Sequence, residues 1–182
     1  MTLYLARHGR SVGQGLFLGQ SDPGLSEEGH AQAEALAERL AGVGIGRILC
    51  SPLKRSAETA VTVSLRLDTA VDQDPRLSEI GYGHWDGLAW DEIERRWPQE
   101  AQRKLADWWG VTPEGGEARE QFLLRVGACW NEIRSAGLPV LIVGHAGVNG
   151  LISELARGCE VDWSRVTRFE QAYGAVLEIE VE

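Results

Sequence analysis

The sequence predicts an α/β fold, a three-layer α/β/α sandwich around a mostly parallel central sheet, with a helical cap inserted into it. Three observations lead there. Strand-length apolar runs recur at residues 3–6, 48–50 and 140–143, as expected for strands buried on both faces. Each is followed, after a turn, by apolar residues at helical spacing, and strands alternating with helices build this layering. Finally, 182 residues at 43% apolar composition suit one sizeable core. The expectation is a single domain over residues 1–182, with the cap insertion at about 79–116.

The first run, Leu3-Tyr4-Leu5-Ala6, stops where Arg7-His8-Gly9 begins. After a Gly-rich loop, Ser26 is placed to cap a helix whose first turn carries Glu27 and Glu28, favourable at the positive end of its dipole. Ala33, Leu36, Leu40 and Val43 form its expected stripe, and Gly42, Gly44 and Gly46 end it. Those glycines follow a helix and precede a strand, the reverse of a dinucleotide-binding loop. Ile48-Leu49-Cys50 is the second strand. Ser51-Pro52 then predicts a helix with serine at the cap and proline at its first position, running through Ala57, Ala60, Val61 and Leu65, with Arg55 in its first turn. Residues 68–87 are turn-rich and acidic. Residues 88–97 and 99–109 predict two helical pieces parted at Pro98, and this region holds Trp85, Trp90, Trp97, Trp108 and Trp109. Phe122, Val126, Trp130 and Ile133 mark a long helix that Gly137 and Pro139 stop. Val140-Leu141-Ile142-Val143 predicts a central strand delivering Gly144-His145-Ala146-Gly147, and a short helix follows through Leu155. The chain closes on a half-exposed strand in which Leu177, Ile179 and Val181 alternate with glutamates.

Composition excludes several function classes. Twenty-seven acidic against 18 basic side chains give a net charge of −9, which repels nucleic acid and anionic membrane, so any bound anion must meet a local positive site. No run approaches the ~20 apolar residues of a membrane span, and the N-terminus lacks a signal-peptide layout; a cytoplasmic protein is expected. Cys50, Cys129 and Cys159 form no CxxC pair and are expected to be small buried hydrophobes. The four histidines show no metal-binding spacing, so neither a metal nor another cofactor is expected.

Three strand-to-helix junctions thus offer Arg7-His8-Gly9, Arg55 and Gly144-His145, all at one edge of the predicted sheet, where α/β sheets bind ligands. Singly, each histidine is more often structural and a first-turn arginine is usually solvated. Jointly, an arginine opposing a helix dipole is better explained by an anion held between them. Two arginines, two imidazoles and helix N-terminal amides would hold a phosphoryl group.

Arg7-His8-Gly9, residues 51–60 (SPLKRSAETA), residues 79–87 (EIGYGHWDG) and residues 143–148 (VGHAGV) together resemble, in order and over nearly the whole chain, the histidine phosphatase superfamily with its phosphoglycerate mutase-like fold. The resemblance implies a phosphoric monoester hydrolase in which His8 attacks phosphorus and becomes phosphohistidine. Arg7, Arg55 and His145 would stabilise the transferring group. Glu79 would act as general acid and then base, its pKa raised by apolar neighbours such as Trp85. The implied substrate-binding set is Gln14, Gly19, Tyr82, Ala146 and Trp108. Gln14 replaces a common Asn, Arg10 stands where Glu is frequent and either adds charge at the mouth or faces solvent, and His84 is assigned a surface or supporting place.

Phosphoglycerate mutases of this family hold a carboxylate with a Lys and an Arg-Arg pair. Trp90 and Trp108-Trp109 stand near those positions, and indole offers one N–H and no charge. These tryptophans either stack on a flat, aromatic leaving group or only pack the cap. Short length, the Trp-rich cap and the loop Pro113–Glu117 look most like the α-ribazole phosphatases of cobalamin assembly. The alternatives are a broad sugar or nucleotide phosphatase, a mutase, and an inactive binding or scaffold member. The expected partner is a small phosphomonoester, with no nucleic acid and no membrane; a homodimer stays open.

Overall fold

The computed structural model describes residues 1–13 and 15–181. Its sheet contains β1 (Thr2–Arg7), β2 (Arg47–Cys50), β3 (Val71–Gln73), β4 (Val140–Gly144) and β5 (Val176–Glu180), in the order β3-β2-β4-β1-β5. Four strands run parallel and β5 pairs antiparallel with β1, so the predicted mostly parallel sandwich is observed.

Side-chain alternation along the strands makes the layers. Leu3 and Leu5 of β1 and Val140 and Ile142 of β4 pack against α5 (Arg119–Ile133) and α6 (Ala146–Leu155). Tyr4, Ala6, Leu141 and Val143 face the other way, onto α1 (Glu27–Leu40) and α2 (Lys54–Leu67). The cap is α3 (Trp90–Arg96) and α4 (Pro98–Ala106), with Trp85, Ile93 and Ala101 at its own small core. A short α7 (Trp163–Thr167) precedes β5.

Ser26 caps α1 as predicted, its side chain accepting from the Gly29 amide. Val43, however, lies beyond the end of α1 and is exposed. The second helix begins at Lys54 and not at Pro52. The Ser51 amide still donates to Val143 O at 3.3 Å, which keeps the chain extended past β2, and the Ser51 hydroxyl accepts from Leu53 N at 3.2 Å. Asp22 supplies the missing cap, its carboxylate accepting from Lys54 N at 2.6 Å. Val61 and Leu65 lie on the outer face of α2, whose buried face is Arg55, Ser56, Thr59, Ala60 and Val63. Pro98 opens α4 as its first residue, and Trp108-Trp109 fall beyond that helix. Cys159 is exposed, unlike Cys50 and Cys129, because it sits in the loop after α6. At the edge strand, Ile179 and Val181 pack inward while Leu177 is exposed.

Candidate active site

Parallel register brings the three predicted junctions together. Arg7 is opposite Gly144 in the β1–β4 ladder, and Cys50 is opposite Val143 in the β2–β4 ladder. His8, Arg55 and His145 therefore leave the sheet at one edge, and the His8 and His145 rings stand 5.0 Å apart, edge to face. His8 Nδ1 lies 2.7 Å from Gly9 O. A carbonyl can only accept, so Nδ1 carries the proton and Nε2 keeps its lone pair. Burial, reinforced by Arg55 and Arg7 and opposed by the Gly9 carbonyl, lowers the His8 pKa to about 3, so the imidazole is neutral at ordinary pH.

The junction is braced from behind. Gly9 N donates to Thr59 Oγ1 at 3.0 Å, and that hydroxyl donates to Arg55 O at 2.7 Å, tying the end of β1 to α2. Glycine is required at position 9 by space: a Cβ there would stand 2.3 Å from the backbone oxygen of Gly29 in α1. Arg55 is almost fully buried, and its guanidinium donates to Ser21 O, Leu18 O and Gly19 O at 2.8, 2.7 and 3.2 Å. Arg7 donates to Gln171 O at 2.6 Å and lies 3.9 Å above the Tyr173 ring, while its Nε has no partner among the described residues.

Two further groups are electrostatically unusual. His145 is buried with both ring nitrogens unpartnered among the described residues. Burial, then His8, Arg55 and Arg7, drive its pKa well below the usual imidazole value. Glu79 accepts from Ile80 N at 3.0 Å and Gly147 N at 3.4 Å, yet burial outweighs these bonds and the nearby arginines and raises its pKa. Gly147 lets this carboxylate approach, since a Cβ there would be 2.6 Å from Glu79 Oε1.

These groups line a cavity of about 580 Å³. Arg7, His8, Arg55, Glu79 and His145 supply its polar lining; Leu16, Phe17, Tyr82 and Trp108 supply one apolar part of it, and Trp109, Val166, Phe169 and Tyr173 line it too, Trp109 bonded to Thr167 beside Val166. Of the predicted binding set, Tyr82, Ala146 and Trp108 line the cavity. Gly19 is not among the lining residues; it is pressed against Ile80 O and Asp86, and its carbonyl accepts from Arg55. Gln14 lies outside the described residues. Trp85 is buried in the cap core and does not line the cavity, so Ile80 and Tyr82, which do, provide the apolar wall on the Glu79 side instead. Trp90 likewise packs into the cap, 5.9 Å from Phe17. His84 faces Glu100 and the Trp97 ring, and Arg10 faces Glu28, 5.7 Å from the Tyr173 ring.

Sequence reasoning missed Tyr173, Gln171 and Thr59. The first two could have been found from topology: antiparallel pairing puts Val176 opposite Ala6, so the residues just before β5 must reach the edge where β1 ends. The arrangement is a compact cationic floor of two arginines with two neutral imidazoles, suited to an oxyanion with several oxygens. Among the described residues no group of three or more His, Cys, Asp or Glu could hold a metal ion, and no helix is long and apolar enough to cross a membrane.

Comparison with known proteins agrees with this architecture. The sequence profile of the histidine phosphatase superfamily (branch 1) matches residues 3–182. The bifunctional protein Rv2228c of Mycobacterium tuberculosis is 38% identical over 155 residues, which cover 82% of this chain and 40% of that protein, so the chain spans about two fifths of that relative's length. An adenosylcobalamin/α-ribazole phosphatase of Salmonella typhimurium is 30% identical over 156 residues, 84% of this chain and 77% of the relative. The crystal structure of the α-ribazole phosphatase from Shigella flexneri superposes with a TM-score of 0.90 at 27% identity, covering all of this chain and 91% of that one. The chain belongs to the histidine phosphatase superfamily, branch 1, and has the phosphoglycerate mutase-like α/β fold.

Proposed function

We propose that this chain is a phosphomonoesterase working through a phosphohistidine at His8, with α-ribazole 5′-phosphate as its leading substrate. The observation that carries the chemistry is the His8 ring, held neutral by burial with Nδ1 bonded to Gly9 O, between Arg7, Arg55 and His145. Nε2 attacks phosphorus and forms an N–P bond as the ester P–O bond breaks; the leaving oxygen takes the Glu79 proton. Glu79, now a carboxylate, removes a proton from water, whose oxygen attacks phosphorus; the N–P bond breaks and inorganic phosphate leaves. A raised carboxyl pKa serves the first step, which needs Glu79 protonated. Arg7 and Arg55 neutralise the equatorial oxygens, and the unpartnered His145 nitrogens give it a donor to aim at them.

The substrate reading rests on the wall above that floor. Phe17 stands 5.0 Å from Tyr82 and 6.1 Å from Trp108, so the leaving group meets aromatic faces; among the described residues no cation lines this part of the cavity, since Lys104, 5.0 Å from the Trp108 ring, donates to Val111 O and is not a lining residue. Similarity to enzymes named for α-ribazole adds support. Residues 79–116 serve as the cap bounding this side of a single catalytic domain.

A pulse with labelled phosphomonoester should leave acid-labile, alkali-stable label on wild type and none on His8→Ala; unlabelled wild type with activity intact in His8→Ala overturns the mechanism. In a substrate panel, α-ribazole 5′-phosphate should exceed 3-phosphoglycerate and simple nucleotides in kcat/KM. Equal values across the panel would favour a broad phosphatase. Trp108→Ala should raise KM for the aromatic ester about tenfold, the order of one lost stacking contact, and leave inorganic phosphate inhibition unchanged.

A further inference from the structure

Arg125 stands outside the cavity, on α5, yet every N–H of its guanidinium is engaged around the segment that carries Glu79. Nη1 donates to Arg76 O and Ser78 O, both at 2.7 Å, and Nη2 donates to Glu79 O at 3.2 Å. The remaining donors form a fork to Glu117: Nε to Oε1 at 2.5 Å and Nη2 to Oε2 at 2.7 Å. Glu117 in turn grips the far side of the segment, its amide donating to Gly81 O at 2.9 Å and its carboxylate accepting from Gly81 N at 3.4 Å. The guanidinium lies 4.9 Å over the ring of Phe122, itself fully buried, so the clamp is anchored in the main core.

Residues 78–82 belong to no helix or strand. Without repeating backbone bonds of its own, such a stretch takes its shape from outside partners. Three of its five positions, 78, 79 and 81, are fixed by Arg125 and Glu117, and Gln20 adds a bond to Glu79 O at 2.8 Å. The Glu79 carboxyl projects from this stretch into the cavity, its Oε1 accepting from Ile80 N at 3.0 Å.

We infer that Arg125, with Glu117, is a positioning residue for the proton-transfer step: it clamps the Glu79 segment so that the carboxyl meets the leaving oxygen. This rests on the reading of Glu79 as general acid. Arginine suits the task because its planar fork spans several carbonyls at once, whereas lysine offers three donors from one point. The positive charge also opposes the rise in the Glu79 pKa, so the clamp tunes the acid as well as aiming it.

The test is leaving-group dependence. A general acid matters for a poor alkoxide leaving group and little for p-nitrophenolate, so the ratio of kcat/KM for an alkyl phosphate to that for p-nitrophenyl phosphate isolates proton transfer from folding losses. Arg125→Gln is expected to lower this ratio about tenfold or more, a part of what a general acid contributes. Arg125→Lys, which keeps the charge and is the variant to rely on if Arg125→Gln does not fold, is expected to lower it at least about threefold. Glu79→Gln is measured beside them. A lowered ratio in Glu79→Gln together with a wild-type ratio in a folded Arg125 variant overturns the positioning role alone. An unchanged ratio in Glu79→Gln overturns the acid assignment and the clamp with it.

Discussion

Gly9 shows how much of this site depends on what one residue lacks. Its carbonyl fixes the His8 tautomer, its amide holds Thr59, and the absence of a side chain lets α1 approach to contact. Gly9→Ala should therefore cost about 1–3 kcal/mol, the range for overpacking a close contact, and should cut kcat/KM more than stability, because any shift of the Gly9 carbonyl turns the His8 ring, the proposed nucleophile. Urea denaturation beside steady-state kinetics checks this; wild-type values in both would show that the approach is not tight. Glu79 makes a second residue-scale prediction. Its pKa is raised, chiefly by burial, and the proposed mechanism needs the protonated form for its first step, so kcat/KM should fall on the alkaline side as Glu79 ionises, from an apparent pKa above the ordinary carboxyl value. Glu79→Gln should remove that limb; a limb that persists belongs to another group. His8, Arg55 and His145 were legible because a parallel sheet sends every strand end to one edge. Glu79 was not legible on its own, since a lone acid in an acidic loop has no local signal, and only its match to a family motif singled it out.

At the scale of elements, the start of α2 shows what a local reading lacks. Ser51-Pro52 has the composition of a helix start, but the bond from Ser51 N to Val143 O keeps the chain extended past the end of β2, and the capping oxygen comes from Asp22, 32 positions away. Nothing within four residues of Lys54 encodes that bond. By contrast Ser26 caps α1 from within its own turn and was readable directly. Ser26→Ala and Asp22→Ala should each cost about 1 kcal/mol, the ordinary worth of an N-cap. They should differ in function. Asp22 adjoins the 18–21 loop whose carbonyls hold the Arg55 guanidinium, so Asp22→Ala should also raise the inhibition constant of inorganic phosphate, while Ser26→Ala should not. Equal phosphate affinity in the two variants would mean that the loop keeps Arg55 in place without Asp22. The tryptophans divide along the same lines. Trp90 and Trp97 pack the cap, Trp108 and Trp109 both line the cavity, and Trp109 also donates its indole N–H to Thr167 at 2.7 Å. Periodicity could not separate these roles, because packing and stacking ask for the same residue type.

For the molecule as a whole, a net charge of −9 coexists with a cationic floor because the fold gathers Arg7 and Arg55 at one sheet edge. The cost of burying this site is visible in His8, which burial above all, and then the two guanidinium groups beside it, keep neutral. Its pKa is lowered to about 3 in the folded chain against roughly 6.5 when unfolded. Above pH 6.5 both states are neutral and nothing is lost. Below it the unfolded chain takes up a proton that the folded chain refuses, so stability falls as pH drops toward 3. By pH 5 His8 alone should remove about 2 kcal/mol. His145, shifted in the same direction, adds to the loss, whereas Glu79, whose pKa is raised, works against it. Bound phosphate reverses the electrostatics: an anion between the imidazoles and arginines favours the protonated rings and binds only the folded state. Inorganic phosphate should therefore stabilise the protein more at pH 5 than at pH 7, and His8→Asn should flatten the fall between those pH values by about 2 kcal/mol. Urea midpoints at the two pH values, with and without phosphate, decide the matter. Equal pH dependence in wild type and His8→Asn would mean that the buried imidazole is not the strained group, and that the acid sensitivity arises elsewhere in this acidic chain.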